Sequence, residues 1–208
     1  MKNKKLLIAI DGPAASGKGT IAKLLGEKLN LPVLYTGNIY RAIAYKIWEA
    51  KQDPHDKNNA VAMAKQLKIS DLDNPNLTNE QVGQYASIIG VYSELRDVTY
   101  GFQRDFIDNS NGAVIEGRDI GTVICPEADF KFYITADVEV RAKRRLDQQI
   151  NSDYQVILDD LKVRDERDQN RSIAPLKPAK DAIIIDSSKL NAQETLAKIL
   201  IIIEADLI

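Results

Sequence analysis

The sequence is poor in the residues that anchor disulfide, metal and membrane designs. It has one cysteine, one histidine and one tryptophan in 208 residues. A single cysteine, Cys125, rules out a disulfide framework within the chain. It lies in Val123-Ile124-Cys125-Pro126 and reads as a small buried hydrophobe. The histidine, His55, falls in a polar stretch and reads as a surface residue. Long apolar runs are missing too. Behind the basic start Met1-Lys2-Asn3-Lys4-Lys5, the stretch Leu6–Ile10 stops at Asp11, too short for the core of a signal peptide. No other run approaches membrane length, so a cytosolic location is the expectation. Excess charge of one sign is also absent. A net charge of -2 gives no support to wholesale nucleic-acid or membrane binding, and any basic site must be local.

What remains is ordinary globular material, 44% hydrophobic and 28% charged. That is enough for one sizeable core with insertions. Leu6–Ile10 is a continuous apolar run of the kind buried on both faces of a parallel sheet. Val33–Tyr35, Ala113–Ile115, Phe130–Thr135 and Ala182–Ile185 read as four further strands. Helical spacing marks Thr20–Leu29, Ile39–Ala50 and residues 138–149. Asn191 and Glu194 have the spacing of a capping box before a last helix. Thr78 and Gln81 show the same spacing before a long amphipathic helix through Val82, Tyr85, Ile89, Tyr92, Leu95 and Phe102. Residues 51–77 are polar, with Pro54 and Pro75, and read as an irregular insertion with a helical piece near Ala60–Leu67. Residues 150–180 are highly charged and read as a surface insertion. Five buried strands alternating with helices predict an α/β fold of three layers around a five-stranded parallel sheet.

The strongest motif is Gly12-Pro13-Ala14-Ala15-Ser16-Gly17-Lys18-Gly19-Thr20, a P-loop between a predicted strand and a predicted helix. Backbone N–H groups of such a turn curl around phosphate oxygens. The helix N-terminus adds partial positive charge, and Lys18 can reach the β- and γ-phosphates of ATP. The usual hydroxyl directly after the lysine is replaced by Gly19, and Thr20 comes one residue later. This leaves Thr20 as an open candidate for a magnesium contact. Asp11, just before the loop, has two open readings: it orients a magnesium-bound water, or it is a strand-end residue that ties down the loop.

The remaining clusters point to a kinase among P-loop proteins. Thr36-Gly37-Asn38-Ile39-Tyr40-Arg41 follows the second strand. Glu116-Gly117-Arg118-Asp119-Ile120-Gly121-Thr122 follows the third. Both lie at carboxyl ends of strands, where open α/β sheets bind ligands. If the run 164–171 is helical, Arg164, Asp168 and Arg171 share a face. Arg141, Arg144 and Arg145 share one a helix earlier, and Arg144 is expected to join the ATP site. Each cluster alone could be a solvated face or a structural ion pair, such as one between Arg118 and Asp119. Together they concentrate arginine forks, which suit phosphate.

With Gly12–Thr20, Thr36–Arg41, Glu116–Thr122, Arg164–Leu176 and Ile183-Ile184-Ile185-Asp186-Ser187-Ser188, the chain resembles bacterial cytidylate kinase over most of its length. The pieces Gly-Arg-Asp-Ile-Gly-Thr and Asn-Arg-x-x-Ala-Pro-Leu are specific to that family. The resemblance implies a single P-loop kinase domain over residues 1–208. It would carry a monophosphate-binding insertion near 51–78 and a lid near 150–175. It implies transfer of the ATP γ-phosphate to CMP or dCMP with Mg²⁺ as cofactor, in a monomer without nucleic-acid or membrane partners. By position, Arg41, Arg118 and Arg171 would hold the acceptor phosphate. Arg164 and Asp168 would meet ribose and phosphate, with Thr36 nearby. Ser87, Arg96 and Asp119 would read the cytosine edge. Cytosine offers an N4 amino donor that a carboxylate such as Asp119 can accept, and N3 and O2 acceptors that Arg96 can meet. Two departures stand out. The segment between Arg41 and Ser87 lacks the alternating strand pattern of long-insert members, and Gln169 stands where a further arginine is often found.

The expected chemistry is in-line transfer. The second pKa of a phosphate monoester is about 6, so the acceptor is already mostly dianionic and needs no general base. Lys18, Arg118, Arg164 and Arg171 would supply positioning and charge neutralisation. Two alternatives stay open: a kinase for UMP, AMP or a hydroxyl acceptor, and a P-loop nucleotide switch without transfer activity.

Overall fold

A computed structural model describes residues 5–148 and 153–206. The first four residues of the basic start, residue 149 of the expected fourth helix and residues 150–152 of the expected lid lie outside the described residues. The chain divides into two compact units. The first comprises the described residues within Met1–Leu34, Ser110–Asn170 and Ala174–Ile208; the second comprises Tyr35–Asn109 and Arg171–Ile173.

The first unit is built on the sheet. Its strands are β1 (Leu6–Asp11), β2 (Val33–Tyr35, whose last residue groups with the second unit), β3 (Gly112–Gly117), β4 (Phe130–Thr135) and β5 (Ile183–Asp186). Their order is β2-β3-β1-β4-β5. β3 and β4 pair in parallel with β1, in the registers Ile8↔Val114 and Ile8↔Phe130, and β5 pairs in parallel with β4. The central strands carry Ile8, Ile10, Val114, Ile115, Phe132 and Ile134, all buried. This is the double-sided burial that a continuous apolar run specifies. Each fully buried isoleucine or phenylalanine contributes about 2–3 kcal/mol. β5 is an edge strand, and Ile183 and Ile184 on it remain exposed.

Helices connect the strands. α1 (Lys18–Leu29) ends on Asn30, whose φ of 53° places it in the left-handed region and whose N–H reaches the Gly26 carbonyl, a common helix stop. α6 (Val138–Leu146) follows β4, and α7 (Tyr154–Asn170) occupies much of the expected lid. Asp153 Oδ1 accepts the N–H groups of Gln155 (2.8 Å) and Val156 (3.1 Å) at the start of α7. α8 (Ala192–Asp206) opens on the expected capping box. Asn191 N–H donates to Glu194 Oε2 at 2.8 Å, and Glu194 N–H donates to Asn191 Oδ1 at 3.0 Å.

The second unit is helical: α2 (Thr36–Glu49), α3 (Lys57–Ala64), 3-10 turns at Ile69–Asp73 and Pro75–Thr78, α4 (Glu80–Ile89) and α5 (Ser93–Asn109). Ile39, Ile43, Ile47, Val82, Ile89, Leu95 and Ile107 form its buried apolar set. Two expectations are corrected here. The long helix from Val82 through Phe102 is two helices, because α4 stops at Gly90 and α5 restarts at Ser93. The capping residue of α4 is Asn79, whose Oδ1 accepts from Gln81 N–H at 2.9 Å. Thr78 instead closes the preceding turn, its hydroxyl donating to the Pro75 carbonyl at 3.1 Å.

Candidate active site

The P-loop takes the place its sequence context predicts, between β1 and α1. Its backbone is tightly constrained at Gly12, where φ is 152° and a Cβ would come within 2.0 Å of the Ile134 carbonyl oxygen. Any side chain there would have to displace β4. Ala15 (φ 58°) and Gly17 (φ 87°) also take left-handed conformations, which turn successive N–H groups toward one concave face. Ala14 packs with Ala142 of α6 and with Ile157, Leu158 and Leu161 of α7, so the loop rests on an apolar floor.

Lys18 is the first residue of α1 and is buried. Its Nζ donates to the Pro13 carbonyl and pairs with Glu116 Oε1, both at 3.1 Å. Burial pushes its pKa down to about 8, helped by the nearby Arg118 charge and opposed by Glu116. Lys18 and Glu116 line a cleft of about 520 Å³ together with Ala15–Ile21 of the P-loop and α1, Arg144, Asp147, Gln148, Ser187 and the start of α8. Thr20 faces this cleft with an exposed side chain. Ser16 Oγ is buried there without a hydrogen-bond partner.

Arg144 forms one wall. Its guanidinium donates to Ser187 Oγ (3.1 Å) and to the carbonyls of Ser187 (2.6 Å) and Leu190 (3.2 Å). Ser187 Oγ in turn lies 3.3 Å from the Ser16 carbonyl and 3.0 Å from that of Thr135. The segment after β5 is thereby fastened to both the P-loop and α6. Of the expected common face of Arg141, Arg144 and Arg145, Arg144 lines the cleft. Arg141 is buried away from the cleft, donating to the carbonyls of Ala136 (2.9 Å) and Ala14 (3.1 Å) and pairing with Asp165 at 2.6 Å.

At the end of β3, Arg118 pairs with Asp168 of α7 at 3.1 Å and not with its neighbour Asp119. Burial works against the Arg118 charge, but Asp168 and Glu116 outweigh it and hold its pKa above the ordinary value. Arg164 also belongs to α7. Arg171 does not share that helical face, because α7 ends at Asn170; Arg171 groups with the second unit. Asp119 is buried at the head of a π-helical turn, Ile120–Ile124.

The other expected acceptor residues lie in the second unit. Thr36 opens α2 and is buried. Arg41 donates to the carbonyls of Leu77 and Asn79 and lies against Gly83, where a Cβ would meet its Nη2 at 2.8 Å. Ser87 and Arg96 are both buried. Arg96 donates to the Gly90 carbonyl at 3.2 Å and lies over the Tyr40 ring, 5.7 Å from its centroid, a cation–π arrangement.

Three side chains emerge here to which the sequence alone assigns no role: Glu116 beside Lys18, Ser187 beside Arg144 and Asp165 beside Arg141. The Asp11 carboxylate accepts the N–H groups of Ile120 and Gly121, each at 2.8 Å. Asp11 is a strand-end tie, but the segment these bonds hold is the one after β3 and not the loop it precedes. Of Glu116, Ser187 and Asp165, the first two had a signal in the sequence, their position directly after a strand end.

A family model described as cytidylate kinase matches residues 8–205. A protein of Bradyrhizobium diazoefficiens named cytidylate kinase is 46% identical over 204 residues, covering 96% of each chain. One of Methylocella silvestris with the same name is 41% identical over 204 residues, covering 96% of this chain and 94% of its own. Among solved structures, a shikimate kinase from Bacteroides thetaiotaomicron matches with a TM-score of 0.54 at 10% identity, covering 96% of this chain and 98% of that one. An uncharacterized protein from Eubacterium ventriosum matches with a TM-score of 0.57 at 17% identity, covering 97% and 99%. At such identities these two structures speak to the fold alone.

Proposed function

The chain belongs to the cytidylate kinase family, and we infer that it transfers the γ-phosphate of ATP to CMP or dCMP, giving ADP and CDP or dCDP. The observation that carries this is the P-loop cleft with buried Lys18 at its floor, in a chain matched over residues 8–205 by that family.

The donor nucleotide occupies the cleft in this reading. Backbone N–H groups of Gly12–Thr20 meet its phosphates, Lys18 follows the charge of the transferring group, and Arg144 faces the nucleoside portion. Cleft oxygens fit a magnesium ion carried by ATP. The Thr20 hydroxyl and the Glu116 carboxylate both line it, and these are the hard donors magnesium takes, few in number beside the phosphates. Among the described residues no group of three or more His, Cys, Asp or Glu side chains that could hold a metal ion stands together. Held beside the Thr20 hydroxyl and the Glu116 carboxylate, magnesium would supply neutralisation of phosphate charge.

For the acceptor, Arg41, Arg118 and Arg171 hold the CMP phosphate, Arg164 and Asp168 its ribose and phosphate with Thr36, and Ser87, Arg96 and Asp119 the cytosine. The acceptor oxygen attacks in line without a general base, since the phosphate is mostly dianionic above about pH 6. Catalysis is positioning plus electrostatics. The insertion near 51–78 and the lid near 150–175 complete the domain, which acts as a cytosolic monomer. Among the described residues no helix is long and apolar enough to cross a membrane.

The test is ADP formation from MgATP with CMP, dCMP, UMP, AMP, GMP, dTMP and shikimate in turn. Strong turnover with CMP and dCMP, and almost none without acceptor, is the expected result. Equal turnover with or without an acceptor would overturn it in favour of a hydrolytic switch.

A further inference from the structure

Asp11 is among the most deeply buried charged side chains in the described residues, 3% exposed, and the reaction as set out above does not use it. It terminates β1 and precedes Gly12, the first residue of the P-loop. Its two oxygens are divided between two consecutive amides more than a hundred residues away, Ile120 N–H to Oδ1 and Gly121 N–H to Oδ2, both at 2.8 Å. Those are the first two amides of the π-helical turn Ile120–Ile124. They belong to the donors that the start of a helical turn leaves without intrahelical partners.

The residue immediately before them is Asp119. Its own carbonyl accepts Val123 N–H at 2.8 Å and Ile124 N–H at 3.2 Å. Asp119 is therefore fixed from both directions. Its turn pulls on its carbonyl, and Asp11 holds the two residues that follow. The approach is close at Gly121, where a Cβ would lie 3.4 Å from Asp11 Oδ2 and 3.2 Å from Lys131 Cδ. Burial, partly countered by the two amides and reinforced by the Asp119 and Glu116 carboxylates, pushes the Asp11 carboxyl up to about 7. An ionised group in that place is held at a cost to stability, and this suits a residue kept for geometry.

We propose that Asp11 is a positioning residue for acceptor selection: by gripping the amides of Ile120 and Gly121 it sets the direction in which Asp119 presents its carboxylate, and through Asp119 the preference for cytosine over uracil. The chemistry separates the two bases sharply. Cytosine carries an amino donor where uracil carries a carbonyl acceptor, so a correctly aimed carboxylate attracts one and repels the other. Asp11 touches neither base. The inference rests on the reading of Asp119 as the cytosine-facing residue.

The experiment measures kcat/KM for CMP and for UMP, at saturating MgATP, in the native chain, D11N, D119A and the double variant. D119A is expected to lose most of the preference for CMP. D11N is expected to lower the CMP-to-UMP ratio about tenfold while the KM for ATP stays within about twofold, and the double variant to be no less selective than D119A alone. If D119A loses the preference and D11N keeps it, the positioning role is overturned and the Asp119 reading stands. If D119A keeps it, the Asp119 reading falls and the inference with it. A purely structural Asp11 would lower activity with both acceptors equally and leave the ratio unchanged, which also overturns the proposal. Should D11N fail to fold, D11S, which removes the buried charge without adding bulk, takes its place with the same expected and overturning outcomes.

Discussion

Arg141 of α6 closes on Asp165 of α7 at 2.6 Å, while its remaining nitrogens cap the carbonyls of Ala14 and Ala136. One guanidinium thus joins the P-loop, the end of β4 and the helix that fills much of the expected lid. Its planar fork reaches three acceptors from three separate nitrogens, which the single nitrogen of a lysine could not do. Removing Asp165 leaves a buried charge without its counter-ion. Asp165→Ala is expected to cost about 3 kcal/mol, a fall in Tm of roughly 6–12 °C for a chain of this size. Thermal unfolding followed by circular dichroism checks it, and an unchanged Tm would mean that the carbonyls alone hold Arg141.

Lys18→Ala is expected to reduce kcat by about a hundredfold or more, the scale of losing one preorganised charge at a transferring group. The far-ultraviolet spectrum should stay native, because the buried apolar residues of β1 and α1, Ile8, Ile10, Ile21 and Leu25, are left in place. Turnover near the native rate would remove Lys18 from the catalytic set.

Arg144→Ala is expected to raise the KM for ATP about tenfold and leave the KM for CMP nearly unchanged. The residue walls the donor cleft and fastens Ser187 and Leu190, and both a lost contact and a loosened wall act on donor binding at about 1–2 kcal/mol. Initial-rate kinetics with each substrate varied separates the two constants. A rise in the CMP constant alone would contradict the assignment of the cleft to ATP.

Asp11 predicts a pH signature in stability. Its carboxyl protonates at about 7 in the folded chain against the ordinary 3.8. Between those values the folded chain holds a proton that the unfolded chain lacks, so this group's contribution to stability is complete below the lower value and is lost as pH rises through the upper one. The difference in Tm between the native chain and D11N should therefore shift in favour of the native chain as pH falls from about 8 to about 5. Parallel melting curves across that range would show that the carboxyl does not titrate there.

The parts of the fold that could be read from the sequence are those set by neighbours along the chain. The P-loop, the buried run Leu6–Ile10 and the Asn191–Glu194 box are local patterns, and each appears where its spacing puts it. Asn79 took the capping place of Thr78 because two adjacent residues can both cap, and only the path of the preceding 3-10 turn decides between them. Gly90 broke a helix that its apolar spacing would have continued. The ties of the site were harder to see. Arg118 could pair with Asp119 beside it or with Asp168 fifty residues on, and the sequence does not rank a neighbour against a partner brought in by α7. Asp11 and the amides of Ile120 and Gly121 are likewise joined only by the parallel register of β1 and β3, which ends at Asp11↔Gly117. Backbone donors carry no residue signature at all.

Cys125, the sole thiol of the chain, is fully enclosed. While the protein is folded, maleimides and similar reagents find no native sulfur to modify, so the unaltered sequence already serves as a silent background for dye attachment. A cysteine introduced at Val163, on the exposed side of α7, would be the single accessible label, and its fluorescence would report on that helix as substrates are added.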